Sequence, residues 1–120
     1  MLINLSNHPS EYWSEQQLAM ACERWGSVVD MPFPSISPTS KTAEVQSLAA
    51  EYCEQCLDKL RCANEPSAVH LMGEMVFCFH LIAMLKAAGF SVVASTAERS
   101  VRYVGGIKEA FFDFVTFREY

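Results

Sequence analysis

Positive charge is scarce in this 120-residue chain: nine Lys and Arg stand against fourteen Asp and Glu, a net charge of −5 with histidine neutral. Affinity for a phosphate backbone comes mainly from clustered cations, so this balance argues against a surface for duplex nucleic acid. A small anion is not excluded, because a helix N-terminus and one or two basic groups suffice to hold it. No apolar run reaches the roughly 20 residues that cross a bilayer, and no membrane segment is expected. The opening Met1-Leu2-Ile3-Asn4-Leu5 has no basic region and too short an apolar run for a signal peptide, and reads as a strand. The five cysteines are an odd number without the paired spacing of a zinc ribbon, which fits reduced thiols in a cytoplasm. Cys53-Glu54-Gln55-Cys56 matches C-x-x-C, yet falls mid-helix, not at the exposed helix start where a thiolate is stabilised.

Several chemical signatures are also missing. There is no G-x-G-x-x-G after the first strand and no G-x-x-x-x-G-K-[ST], which removes the usual dinucleotide fingerprint and the P-loop. There is no G-x-S-x-G nucleophile elbow. No carboxylate and histidine group has the spacing of a catalytic metal site, so no metal or other cofactor is expected and any chemistry should run without one.

What is present is a 51% hydrophobic chain, long enough for one domain (residues 1–120) with a real core and too short for two. Residues 2–6 read as a strand. Ser10 offers an N-cap to a helix over Tyr12–Arg24, with Trp13, Gln17, Met20, Ala21 and Trp25 on one face, closed by Gly26. Val28–Phe33 reads as a second strand running into a stiff loop with Pro32, Pro34 and Pro38. Ser40 or Thr42 caps a second helix reaching Cys62. Ala68–Met72 is a third strand, Met75–Ala88 a third helix, and Phe90–Ser95 a fourth strand. A hairpin of 100–104 and 107–117 turns on Gly105-Gly106. The βαβαβαβ order predicts a Rossmann-like three-layer α/β/α fold: about four parallel strands, three helices and a C-terminal β-hairpin. The third helix is apolar around nearly its whole circumference, which predicts burial on more than one side and a homodimer.

Four polar junctions follow the strands: Ser6-Asn7-His8-Pro9-Ser10, the proline loop, Gly73-Glu74, and Ser95-Thr96-Ala97-Glu98-Arg99. In an open α/β sheet these meet at the carboxyl edge, where ligands bind. Asn7 can read a base or ribose edge and His8 can exchange a proton near neutral pH. Glu74 stands where a helix N-terminus keeps a carboxylate ionised, as a base or a ribose partner. Gly73 allows close approach of a ligand, and Arg99 can clamp a phosphate. Each feature has a plainer reading: a capped turn with a surface histidine, a first-turn charge, strand-end hydroxyls satisfying their own backbone, a solvated arginine. His70 and His80 lie inside apolar segments and read as core or interface groups, not ligands.

A chain with Ser6-Asn7-His8-Pro9-Ser10, Val69-His70-Leu71-Met72-Gly73-Glu74-Met75, Ala94-Ser95-Thr96-Ala97-Glu98-Arg99 and Phe114-Val115-Thr116-Phe117-Arg118-Glu119-Tyr120 resembles small CRISPR-associated accessory proteins. These are similar to the CARF domain, a Rossmann-like dimer that binds cyclic oligoadenylate messengers, and some are ring nucleases that cut the messenger. The resemblance implies a cyclic oligoadenylate across a two-fold axis. It would be bound by Ser6, Asn7, Ser10, Gly73, Ser95, Thr96 and Glu98, with His8, Glu74 and Arg99 serving metal-independent cleavage by the RNA 2′-hydroxyl. The rivals are a nucleotide sensor or sponge without turnover, an N-glycosidase using Glu74, and an interaction subunit docking through the third helix.

Overall fold

All five residues of Leu2–Ser6 are buried, and a strand covered on both faces requires helices on both sides. The computed structural model, which describes residues 1–120, supplies them. In chain order the elements are β1 (Leu2–Ser6), a 3-10 turn (Ser10–Tyr12), α1 (Glu15–Trp25), β2 (Val28–Asp30), α2 (Thr42–Arg61), β3 (Ala68–Met72), α3 (Met75–Ala87), β4 (Ser91–Val104) and β5 (Ile107–Glu119). The sheet runs β2-β1-β3-β4-β5; the first four strands are parallel and β5 is antiparallel to β4. The fold is therefore α/β with a mixed, mostly parallel five-stranded sheet and three α-helices.

Side-chain alternation along the strands divides the core in two. One layer packs Ile3, Leu5, Val69, Leu71 and Val92 against α2 and α3, through Ala49, Cys53, Cys56, Leu57, Leu60, Phe77, Leu81 and Leu85. The other packs Leu2, Ala68, Val93 and Phe117 against Ala21 of α1 and Trp13. On α3, Phe77, Cys78, Leu81 and Leu85 are buried, whereas Met75, Val76 and Phe79 remain exposed.

Four boundaries differ from the sequence expectation. Ser10 opens a 3-10 turn, and Ser14 is the true N-cap of α1, its hydroxyl accepting from Gln17 N at 3.1 Å. Lys41 precedes α2, with Glu44 reaching back to its backbone N–H at 3.3 Å. β2 ends at Asp30, because Pro32 and Pro34 leave no N–H to continue the ladder and Phe33 turns inward to pack edge-on against Phe77 at 5.2 Å. The polar stretch 96–99 is not a loop between two strands. It is the middle of β4, which pairs with β5 as far as Val104, with a bulge at Thr96/Ala97. Gly105 and Gly106 supply the two positive φ angles (60° and 81°) of the turn.

Candidate functional site

The strand order reverses between β1 and β3: α1 leaves β1 over one face of the sheet and α3 leaves β3 over the other, so their exits open a crevice at the carboxyl edge. A cavity of about 640 Å³ occupies it, a size ordinary for ligand sites of ~300–1,000 Å³. Ser6 lines it from the end of β1, with Asn7 and His8 just beyond; Tyr12, Trp13, Ser14 and Gln17 from the following turn and helix; Met72 from the end of β3, with Gly73 just beyond. Ser95, Thr96 and Ala97 of β4 and Phe112 and Phe114 of β5 close the far side, and His70 lies at the floor. No Lys, Arg, Asp or Glu is among the lining residues.

His70 and Ser95 on the floor belong to a polar row that runs beneath the cavity across four strands on the α1 face: Asp30 on β2, Asn4 on β1, His70 on β3 and Ser95 on β4. Asn4 stands in register with both Asp30 and His70. Asn4 Nδ2 donates to Asp30 Oδ1 and to the His8 carbonyl, both at 2.8 Å. Both partners are pure acceptors, so the amide cannot be turned over, and its Oδ1 must face Ser6 Oγ at 2.8 Å and His70 Nδ1 at 2.9 Å. A carbonyl oxygen only accepts, so Nδ1 carries the proton. The free lone pair of neutral His70 is then on Nε2, facing Ser95 Oγ at 3.2 Å, and the Ser95 hydroxyl donates to it. Met72 Sδ is the other neighbour of that hydroxyl, at 3.1 Å.

Burial, with a smaller contribution from nearby His8, pushes His70 down to about 4, so it is neutral at physiological pH. Trp13 and Phe117 set their rings edge-on to it at 5.1 and 5.6 Å. Burial acts to raise Asp30, but hydrogen bonds from Ser10 and Asn4 outweigh it and hold the carboxyl below its ordinary value. The His8 carbonyl also accepts from Trp13 Nε1 at 3.0 Å, which pins the loop after β1 to the floor.

The structure brings Ser6, Asn7, His8, Gly73, Ser95 and Thr96 to this cavity and leaves Ser10, Glu74, Glu98 and Arg99 outside its lining. Ser10 binds the far side of Asp30, N–H to Oδ1 at 3.0 Å and Oγ to Oδ2 at 2.7 Å. Glu74, expected as an acid or base, is the N-cap of α3: Oε1 accepts from Val76 N at 3.1 Å and Oε2 from Phe77 N at 2.7 Å. Gly73, expected to admit a ligand, instead makes room for Phe33, whose ring atoms would lie 2.2–2.8 Å from a Cβ there. Glu98 pairs across the hairpin with Asp113 and faces away from the cavity. Arg99 pairs with Phe112, and directly opposed residues share a face, so it stands at the rim beside a lining ring.

Sequence reasoning set His70 aside and passed over Asn4, Trp13, Phe112 and Phe114. A signal existed: Asn4 and His70 are polar residues in the interior of two mainly apolar strands, and parallel pairing makes them neighbours. No group of three or more His, Cys, Asp or Glu side chains is placed to hold a metal. The Cys53/Cys56 pair lies buried in α2, where burial pushes Cys56 up to about 12, far from the thiolate that redox chemistry needs.

A protein-family model described as the Uncharacterized protein MJ1673 family matches residues 1–118. The chain belongs to this family. The match takes in every residue lining the cavity. No curated protein and no solved structure matches the chain.

Proposed function

We propose that this member of the MJ1673 family is a cytoplasmic, Rossmann-like, CARF-type protein of antiviral defence that binds a cyclic oligoadenylate and cleaves it without a metal. The observation that carries the reading is the cavity at the β1/β3 reversal, where neutral hydrogen-bonding groups on the floor meet the aromatic walls Trp13, Phe112 and Phe114. Adenine suits such a lining: its π-face stacks on aromatic rings, and its ring nitrogens and amino group are read by hydroxyls, Asn7 and Gln17. The scissile ribose-phosphate would lie over the Ser95 hydroxyl, and the other phosphates toward the rim, near Arg99 and in reach of solvent.

The exposed apolar surface supports a second subunit. Val101 and Tyr103 extend the hairpin face that begins with Phe112 and Phe114, and on α3 Met75 and Phe79 are 84% and 69% exposed. Apolar surface of this extent beside a cleft marks a contact, and a two-fold pairing over the hairpin would place two cavities against one ring. An N-glycosidase is not supported, because no carboxylate lines the cavity. A sensor that holds the messenger without cutting it is the second reading, favoured by the absence of any lysine or arginine from the lining.

Incubating the purified protein with labelled cyclic tetra-adenylate in a chelator tests this. Linear product is expected; retention without product selects the sensor, and neither retention nor product overturns both.

A further inference from the structure

We infer that Ser95, His70 and Asn4 form a proton relay in which the Ser95 hydroxyl takes the proton from the attacking 2′-hydroxyl of the bound ring and hands its own to His70. The inference deepens the nucleotide reading above and rests on it. Its basis is geometric. The row has the arrangement of nucleophile or proton carrier, base and orienting group that recurs in hydrolytic sites: Oγ to Nε2 at 3.2 Å, and Nδ1 to a fixed acceptor at 2.9 Å. Its accepting atom is fixed from the far end. Asp30 and the His8 carbonyl hold the Asn4 amide, Asn4 holds the proton on Nδ1, and the only site left for an incoming proton is Nε2. His70 is 2% exposed and Asn4 1%, so this polarity is not shared with water, whereas Ser95 is partly exposed and faces the cavity.

The step balances without a co-reactant. The 2′ oxygen bonds to the neighbouring phosphorus as the bond from phosphorus to the 5′ oxygen breaks, leaving a 2′,3′-cyclic phosphate and a 5′-hydroxyl. The 2′ proton goes to Ser95 Oγ and the Ser95 proton to Nε2. The departing 5′ oxygen takes a proton from water, and His70 returns its proton to solvent through Ser95. Burial keeps the resting imidazole neutral, so the accepting lone pair is present before the ligand arrives. The phosphate then brings the negative charge that stabilises the imidazolium as it forms. In these terms Ser95 touches the substrate, while His70 and Asn4 are positioning residues that act through it.

Single-turnover cleavage of cyclic tetra-adenylate by wild type, Ser95→Ala, Ser95→Thr and His70→Gln, with binding measured in parallel, tests the relay. Ser95→Ala is expected to bind within a few-fold of wild type and to cleave about 100-fold more slowly or worse, the range of one lost proton-transfer group. Ser95→Thr keeps a hydroxyl and should recover most of the rate. Wild type should lose rate on the acid side, and His70→Gln should be slow with that limb absent. Ser95→Ala cleaving at the wild-type rate overturns the relay while the nucleotide reading stands; so does a wild type that binds and never cleaves. A wild type that neither binds nor cleaves overturns both. Independently of any ligand, ¹⁵N imidazole shifts should show the Nδ1–H tautomer of neutral His70, and the Nε2–H tautomer would overturn the assignment.

Discussion

Lowering the pH from 7 toward 4 should destabilise this protein through His70 alone by about 3 kcal/mol. In the unfolded chain the imidazole takes up its proton near 6.5, whereas in the folded protein burial holds that event down to about 4. Above 6.5 neither state binds the proton and the contribution is flat. Between 6.5 and 4 the unfolded state alone binds it, so stability falls with falling pH, and below 4 both states are protonated and the loss is complete. The gap of about 2.5 units at 1.36 kcal/mol each gives about 3 kcal/mol, a large share of the ~5–15 kcal/mol that holds such a domain together. The groups facing His70 are Asn4 of β1, Trp13, Ser95 of β4 and Phe117 of β5, with His8 as the one titratable neighbour. Asp30, one step further along the row, is shifted down from 3.8 and makes its own loss below that window. Urea unfolding followed by fluorescence, with Trp13 beside the imidazole as reporter, should show wild type losing its advantage over His70→Gln between pH 6.5 and 4. Parallel stability curves for the two proteins across that window would refute the reasoning, as would an NMR titration placing His70 above 6.

Gly73→Ala should cost about 1–3 kcal/mol in urea unfolding, because the new methyl group meets the Phe33 ring that packs on Phe77. Glu74→Ala should lower stability by about 1 kcal/mol through the lost α3 cap, with nucleotide binding unchanged in a calorimetric titration. Phe112→Ala, at a side chain 67% exposed on the cavity wall, should leave the unfolding midpoint in place. It should weaken nucleotide affinity by the ~1–3 kcal/mol of one stacked base. Light scattering should give a dimer for wild type and a monomer for the double variant Val101→Asp, Tyr103→Asp, since both side chains lie on the exposed hairpin face.

The strand and helix order was legible because each buried strand is a short apolar run and each helix has a clear stop. The hairpin turn was legible because Gly105-Gly106 allows little else. What misled was local polarity. Thr96-Ala97-Glu98-Arg99 looks like a loop, but its residues pair with β5, a partner that is distant in sequence at its far end. Ser10 looks like the cap of α1, yet its hydroxyl is spent on Asp30, and Ser14 takes the role. At the site, the β1 and β4 junctions were visible as polar residues after apolar ones. The row beneath it was not, because His70 read singly as a core or interface group and Asn4 drew no notice, and only strand register shows that the two bond to each other, with His70 reaching on to Ser95. Glu74 shows the converse: a carboxylate at a helix start is conspicuous in sequence, but both its oxygens are taken by the helix itself.

The most direct test of the cavity as a nucleotide site is a titration of wild type and Phe112→Ala with cyclic tetra-adenylate, followed by calorimetry. Saturable binding by wild type, weakened in the variant while its fold is kept, is the predicted result. No heat from wild type, or equal affinity in the two proteins, would contradict it.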